Sequence, residues 1–228
     1  MTTFSANWSW PTAATFQDRD IACEDVLVTP PLIEPLDLDE VKKQRRFSST
    51  TLDTRFDVWI SAARQQFEEE SNLQLITATR MFLMDGFPIQ PLITVNRSPV
   101  QQIVSVEYLD DSGTVQTMDA ADYELFPPLP TKGVYASPSG VHLVGDASWP
   151  SAASRAGAVR VTYIAGFGDA PGDVPELIAY ALMQYVGDFH RWSENMTERP
   201  ANVTAHGSVM VRRNASMFMW NARRMTRW

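Results

Sequence analysis

The stretch that decides the fold reads Ile103-Val104-Ser105-Val106-Glu107-Tyr108-Leu109, then Asp110-Asp111-Ser112-Gly113, then Thr114-Val115-Gln116-Thr117-Met118. β-Branched and aromatic residues fill the two arms. The four residues between them are turn formers, so the stretch predicts a β-hairpin. Outward from it, Ile76–Met84, Tyr123–Phe126, Val141–Val144 and Val159–Ile164 are further short strand-like runs. Turn chemistry separates them at Asp85-Gly86-Phe87-Pro88, Pro127-Pro128 and Ser137-Pro138-Ser139-Gly140. Short strands without helical segments between them predict an antiparallel sheet or small sandwich over residues 75–168.

On either side the period changes from two to about 3.6. Asp37 and Glu40 stand at capping-box spacing and open a short helix over 37–47, with Leu38 and Val41 inward. Leu52, Phe56, Trp59, Ile60, Ala63 and Phe67 form one stripe of a helix over 51–71, which Glu68, Glu69 and Glu70 end on a solvated face. A third helix spans 173–192, with Pro175 in its first turn. Its stripe is Leu177, Ile178, Ala181, Leu182, Tyr185, Val186 and Phe189. The fold class is therefore α+β: a small bundle of three main helices with an inserted antiparallel β-domain. Its parts are an extended N-terminal arm (1–35), the first half of the helical part (36–74), the β-domain (75–168), the closing helix (169–193) and a C-terminal tail (194–228). Pro30, Pro31 and Pro35 stiffen the exit of the arm, which reads as an extended connector lying on the body or on a neighbour.

Charge is unevenly spread over the 228 residues. The first 198 hold 13 basic and 27 acidic residues, a net charge of −14, whereas the last thirty carry six arginines and no acid. Such a split marks an interaction tail. The tail is also unusually apolar for a solvated terminus, with Phe218, Trp220 and Trp228 in its last eleven residues. The acidic body makes the whole surface a poor nucleic-acid binder. A single cysteine, Cys23, excludes a disulfide framework and Cys-rich zinc sites. There is no apolar run of membrane-spanning length and no basic-then-apolar leader, which reads as a soluble protein of a reducing compartment, with no membrane partner.

Catalytic chemistry finds little to stand on. His142, His190 and His206 lack metal-ligand spacing, and no nucleophile elbow, P-loop or dinucleotide fingerprint occurs. Gly166-Phe167-Gly168 reads as the turn into the third helix rather than a phosphate cradle. Asp110-Asp111 sits at a hairpin tip, solvated and without cause for a shifted pKa. Cys23 lies beside Glu24 and Asp25, which disfavour a thiolate. His190 reads as a cation near a helix C-terminus. No catalytic residue, cofactor or metal is expected.

Several pieces occur in a recognisable order: Thr29-Pro30-Pro31; Leu36-Asp37-Leu38-Asp39-Glu40-Val41-Lys42; Trp59-Ile60-Ser61-Ala62-Ala63-Arg64; Met84-Asp85-Gly86-Phe87-Pro88; Ser98-Pro99-Val100; Val106-Glu107-Tyr108-Leu109-Asp110; Trp149-Pro150; and Val161-Thr162-Tyr163-Ile164-Ala165-Gly166-Phe167-Gly168 before Val174-Pro175-Glu176-Leu177-Ile178. This order, over about residues 28–193, resembles the head–tail connector (adaptor) proteins of tailed bacteriophages and gene transfer agents. The resemblance implies a non-enzymatic virion protein of the head–tail interface, assembled in the bacterial host cytoplasm. It implies a helical part with an inserted β-domain, and copies joined in a twelve-fold ring beneath the portal protein. That ring prolongs the DNA channel, passes packaged DNA without sequence-specific contact, and offers its far face to a downstream tail-completion or stopper protein. The arm over 1–27 and the tail over 194–228 fall outside the matched stretch.

Three expectations follow for the assembly. The −14 body opposes self-association, so the isolated chain should be a monomer or weak oligomer that closes its ring on the portal. The lumen should be acidic or neutral, with Glu68, Glu69 and Glu70 as its wall. The tail should anchor to the portal through strand-like Val209, Met210, Val211, Arg212 and Arg213, and through Met217, Phe218, Trp220, Arg223, Arg224 and Trp228. The alternatives are a nucleic-acid-binding protein that uses the Arg- and Trp-rich tail, and a sandwich-type carbohydrate-binding module.

Overall fold

The computed structural model describes residues 23–44, 46–48, 50–127 and 139–197. Within them the architecture is α+β, with three α-helices and two antiparallel sheets. Helix α1 (Leu38–Gln44) starts where Asp37 Oδ1 accepts the Asp39 and Glu40 amides at 2.8 and 3.2 Å, an N-cap that satisfies two otherwise orphaned donors. Helix α2 (Asp53–Ser71) buries Phe56, Ile60, Ala63 and Phe67, as the stripe predicts, and ends at Asn72 in the left-handed conformation. Helix α3 (Glu176–Thr197) follows a single 3-10 turn at Pro171–Asp173 and buries Ile178, Ala181, Leu182, Tyr185 and Val186. Leu177, read as part of that stripe, is instead exposed.

Helices α2 and α3 run antiparallel. Phe67 meets Tyr185 near one end, and Phe56 and Trp59 meet His190 near the other. His190 is thus part of an aromatic cluster, stacked on Phe56 with ring centroids 5.6 Å apart, and lies seven residues before the end of α3. The sequence reading stopped α3 too early; it continues to Thr197.

The strands are β1 (Cys23–Thr29), β2 (Ala78–Met84), β3 (Leu92–Thr94), β4 (Val100–Leu109), β5 (Val115–Thr117), β6 (Tyr123–Phe126), β7 (Gly140–Leu143) and β8 (Val159–Ala165). The larger sheet has the order β1-β2-β8-β4-β5 and the smaller β3-β7-β6. The hairpin β4–β5 forms in the expected place, with Glu107 opposite Thr117 and Leu109 opposite Val115. Side chains of both sheets share one core, in which Phe82, Val106, Val159 and Val161 from the larger meet Ile93, Val141 and Leu143 from the smaller. A second core joins the three helices to the α2–β2 connector through Leu73, Leu75 and Ile76. Gly140 is required where β7 crosses β3, since a Cβ there would lie 1.8 Å from the Ile93 carbonyl oxygen.

Two strands are absent from the sequence reading. Three-residue β3 is too short to show a period. Strand β1 falls inside the stretch read as a connector: Cys23–Thr29 pairs antiparallel with β2, so this part of the arm is an edge of the larger sheet.

Candidate functional site

The predicted portal-binding residues, Val209 to Arg213, Met217, Phe218, Trp220, Arg223, Arg224 and Trp228, lie outside the described residues, as do most of the arm and His206. The three glutamates proposed as a channel wall separate in the structure. Glu69 is exposed, and its carboxylate pairs with Arg97. Glu70 is partly buried and accepts the Tyr185 hydroxyl at 3.0 Å. Glu68 is buried, which corrects its placement on a solvated face. Glu68 follows Phe67 of the buried stripe and stands four residues after buried Arg64, which bonds it from the inward side.

Glu68 turns inward onto a chain of polar groups between the helices and the larger sheet. Its Oε1 accepts the Leu75 amide at 3.0 Å and the Gln74 side chain at 2.9 Å, and its Oε2 accepts Arg64 at 3.0 Å. Arg64 also reaches Glu34, in the segment after β1, at 2.7 and 3.2 Å. On the sheet side, Gln74 accepts Arg80 at 3.1 Å, and Arg80 donates to Asp25 of β1 at 2.6 Å. The Tyr163 hydroxyl of β8 closes the chain on Asp25 at 2.5 Å. Arg97 donates from beneath to the Glu68 carbonyl and the Glu69 carboxylate. The chain Glu34–Arg64–Glu68–Gln74–Arg80–Asp25–Tyr163 therefore ties the N-terminal arm to α2 at one end and to the sheet at the other.

Its electrostatics follow from burial. Desolvation lifts Glu68 above the ordinary carboxylate range, opposed by the Leu75 amide and Arg64. Burial also works against the Arg64 charge, but hydrogen bonds and attraction from Glu34 and Glu68 overcome it, and the guanidinium is held above its ordinary value. Burial and the Asp25 carboxylate push Tyr163 far up, so its hydroxyl stays a donor. Every charge faces an opposite charge or a fixed dipole. The arrangement holds two layers and an arm in one relative position; it presents no nucleophile beside a base.

Elsewhere the chemistry is that of turns. Asp110 accepts from Ser112, Thr114 and Gln116, and these bonds lower its pKa to about 2, which corrects the expectation of an unshifted carboxylate. Gly166 has φ +141, and a Cβ there would lie 2.6 Å from the Thr77 amide nitrogen, so the Gly-Phe-Gly stretch is a tight crossing beneath the connector. Burial, with the Asp85 charge, raises the Cys23 thiol pKa. Among the described residues no group of three acidic, histidine or cysteine side chains is placed to hold a metal ion, and no helix is long and apolar enough to cross a membrane.

Sequence reasoning missed Asp25, Glu34, Arg64, Gln74, Arg80 and Arg97. A signal existed for two of them. Arg64 stands four residues after Ile60 on the buried stripe, and Arg80 alternates with Ala78 and Phe82 on the inward face of β2.

No family model matches the chain, and no curated protein matches it either. Solved structures do. A chain of the "Virion of native gene transfer agent (GTA) particle" aligns with TM-score 0.60 and 18% identity over 85% of this chain and 94% of that one. A chain of the "Neck of empty GTA particle computed with C6 symmetry" gives 0.61 and 16% over 86% and 94%. A chain of the "Neck of native GTA particle computed with C12 symmetry" gives 0.60 and 19% over the same shares. At these identities the likeness is one of fold: over 85–86% of its length, this chain has the fold of chains found in the neck and virion of gene transfer agent particles.

Proposed function

We propose that this protein is a structural component of the neck of a tailed phage or gene transfer agent, a head–tail connector that forms a ring beneath the portal. The observation that carries the reading is the fold shared with neck chains over 94% of their length. The C6 and C12 symmetries of those necks support a ring of copies. The order of short motifs over residues 28–193 supports the same family independently of the coordinates. In this reading the protein works without catalysis. It prolongs the DNA channel and presents its far face to a tail-completion protein. Glu69 and the acidic body keep the lumen from holding DNA, because a basic wall would gain affinity by counterion release. Val209, Met210, Val211, Arg212 and Arg213 as an added strand, with Met217, Phe218, Trp220, Arg223, Arg224 and Trp228, supply the portal anchor, since main-chain pairing and aromatic and Arg side chains give interfaces their energy.

The test is to mix the full chain with purified portal and image the product by electron microscopy. Rings of six- or twelve-fold symmetry on the portal are expected, and a chain that stays unbound overturns the reading. The charge of the last thirty residues favours a second reading, nucleic-acid binding. The two differ in which substitutions hurt. Replacing Phe218 and Trp220 with Ala should weaken portal capture more than replacing Arg223 and Arg224. Under DNA binding the arginines dominate, and affinity falls steeply with salt.

A further inference from the structure

The two faces of the larger sheet differ in what packs on them. Along β2 and β8 every second side chain is buried on the face toward the smaller sheet and the helices, and those between are half-buried on the other face. The register sets this outer face in rows. Val26, Met81, Thr162 and Ser105 stand side by side across β1, β2, β8 and β4. Thr79 and Ile164 follow on the side of the helix connectors, and Glu24, Arg160 and Glu107 carry charge at the opposite end. Val26, Met81 and Ile164 belong to neither core. A sheet face whose centre is apolar calls for a second layer.

The sequence before β1 has the chemistry of that layer. Residues 1–17 contain no Asp, Glu, Lys or Arg. Within them Phe4, Ala6, Trp8 and Trp10 alternate with Ser5, Asn7 and Ser9, the period of an extended segment with one apolar and one polar side. The charges of the arm, Asp18, Arg19 and Asp20, come just before Cys23. Cys23 stands opposite Met84, at the charged end of the outer face, so charge adjoins charge and the uncharged stretch is left for the uncharged rows. Reach is ample. Ile164 lies about 20 Å from Cys23 at the rise and spacing of strands, and the thirteen residues from Trp10 to Cys23 extend to about 43 Å. The C-terminal tail is a poorer fit, since its six arginines would set cations over Met81 and Ile164. The short tether also gives a chain's own arm a higher effective concentration at this face than the arm of a second copy.

We infer that Phe4–Trp10 lies over the outer face of the larger sheet of its own chain, with Trp8 and Trp10 against Met81, Thr162 and Ile164. The contact lies within one copy, so it holds whether or not the chain forms rings.

The test uses the full-length chain with Cys23→Ser and Thr162→Cys, the new thiol carrying a bimane, whose emission tryptophan quenches on contact. Replacing Trp8 and Trp10 with Phe should brighten the label several-fold, equally at low and high protein concentration. A label can itself displace the arm, so the unlabelled Thr162→Cys thiol is also timed against a maleimide. Removing residues 1–17 should speed that reaction several-fold, while Val161→Cys, on the buried face, stays protected in both lengths. If Val161→Cys opens too, the shortened chain has unfolded and the full-length label decides. An unchanged Thr162→Cys rate in a folded shortened chain overturns the inference. So does a label equally bright with and without the two tryptophans in that full-length reading, the result expected of an arm paired along the β1 edge, two strands away from β8. Quenching that grows with protein concentration overturns it as well, since it assigns the contact to the arm of a second copy.

Discussion

Asp25 and Asp110 are both carboxylates held by several donors, one buried and the other open to water. Asp25 takes Arg80 and the Tyr163 hydroxyl in a place where its side chain is 4% exposed. Asp110 takes Ser112, Thr114 and Gln116 at a tip open to water. Similar bonds carry different consequences. At the tip, water replaces any partner that leaves, so the bonds shape a turn and shift a titration. At the joint no water stands ready, and a missing partner leaves a charge without solvation. The joint therefore fixes how arm, helices and sheet sit together, whereas the tip only closes β4 onto β5.

The largest test of that contrast is Arg80→Met, which leaves Asp25 with only Tyr163. We expect a loss of about 3–5 kcal/mol in urea unfolding. Adding Asp25→Leu should restore most of it, because an apolar pair has no charge to strand. A single-variant loss as small as that of a surface ion pair would erase the distinction between joint and tip. Tyr163→Phe removes one bond to the same carboxylate and should cost about 1.5–3 kcal/mol. A neutral result there would mean that Arg80 alone satisfies Asp25.

Smaller effects should appear in the pH dependence, with opposite signs in the two regions. Burial raises the folded pKa of Glu68 above its ordinary 4.5, so its contribution is fully present below 4.5 and lost as pH rises through the raised value. Denaturation of Glu68→Gln against the parent should show the parent gaining relative stability as pH falls through that window. A flat difference would contradict the raised value. Asp110 shifts the other way: its stabilisation is present above 3.8 and fades as pH falls toward about 2. Its carboxyl carbon should titrate near 2 by NMR, and Asp110→Asn should be the least destabilising of these changes. A midpoint at the ordinary value would show that the turn's hydrogen bonds do not hold in solution.

Sequence by itself determined the elements whose signals are local. The hairpin at 103–118, the Asp37 cap and the stripe of α2 each depend on residues within a few positions of one another, and each forms where periodicity and turn chemistry put it. The charge split between body and tail is likewise a property of order along the chain. Tertiary structure decided what depends on distant partners. Cys23–Thr29 becomes a strand because β2, more than fifty residues on, offers it an edge. Glu68 turns from an apparent surface charge into a buried one because Arg64, Gln74 and the Leu75 amide surround it. His190 joins an aromatic cluster because α3 folds back along α2. No local pattern encodes these outcomes, since a buried polar group is tolerated only when long-range packing brings its partners within hydrogen-bonding distance.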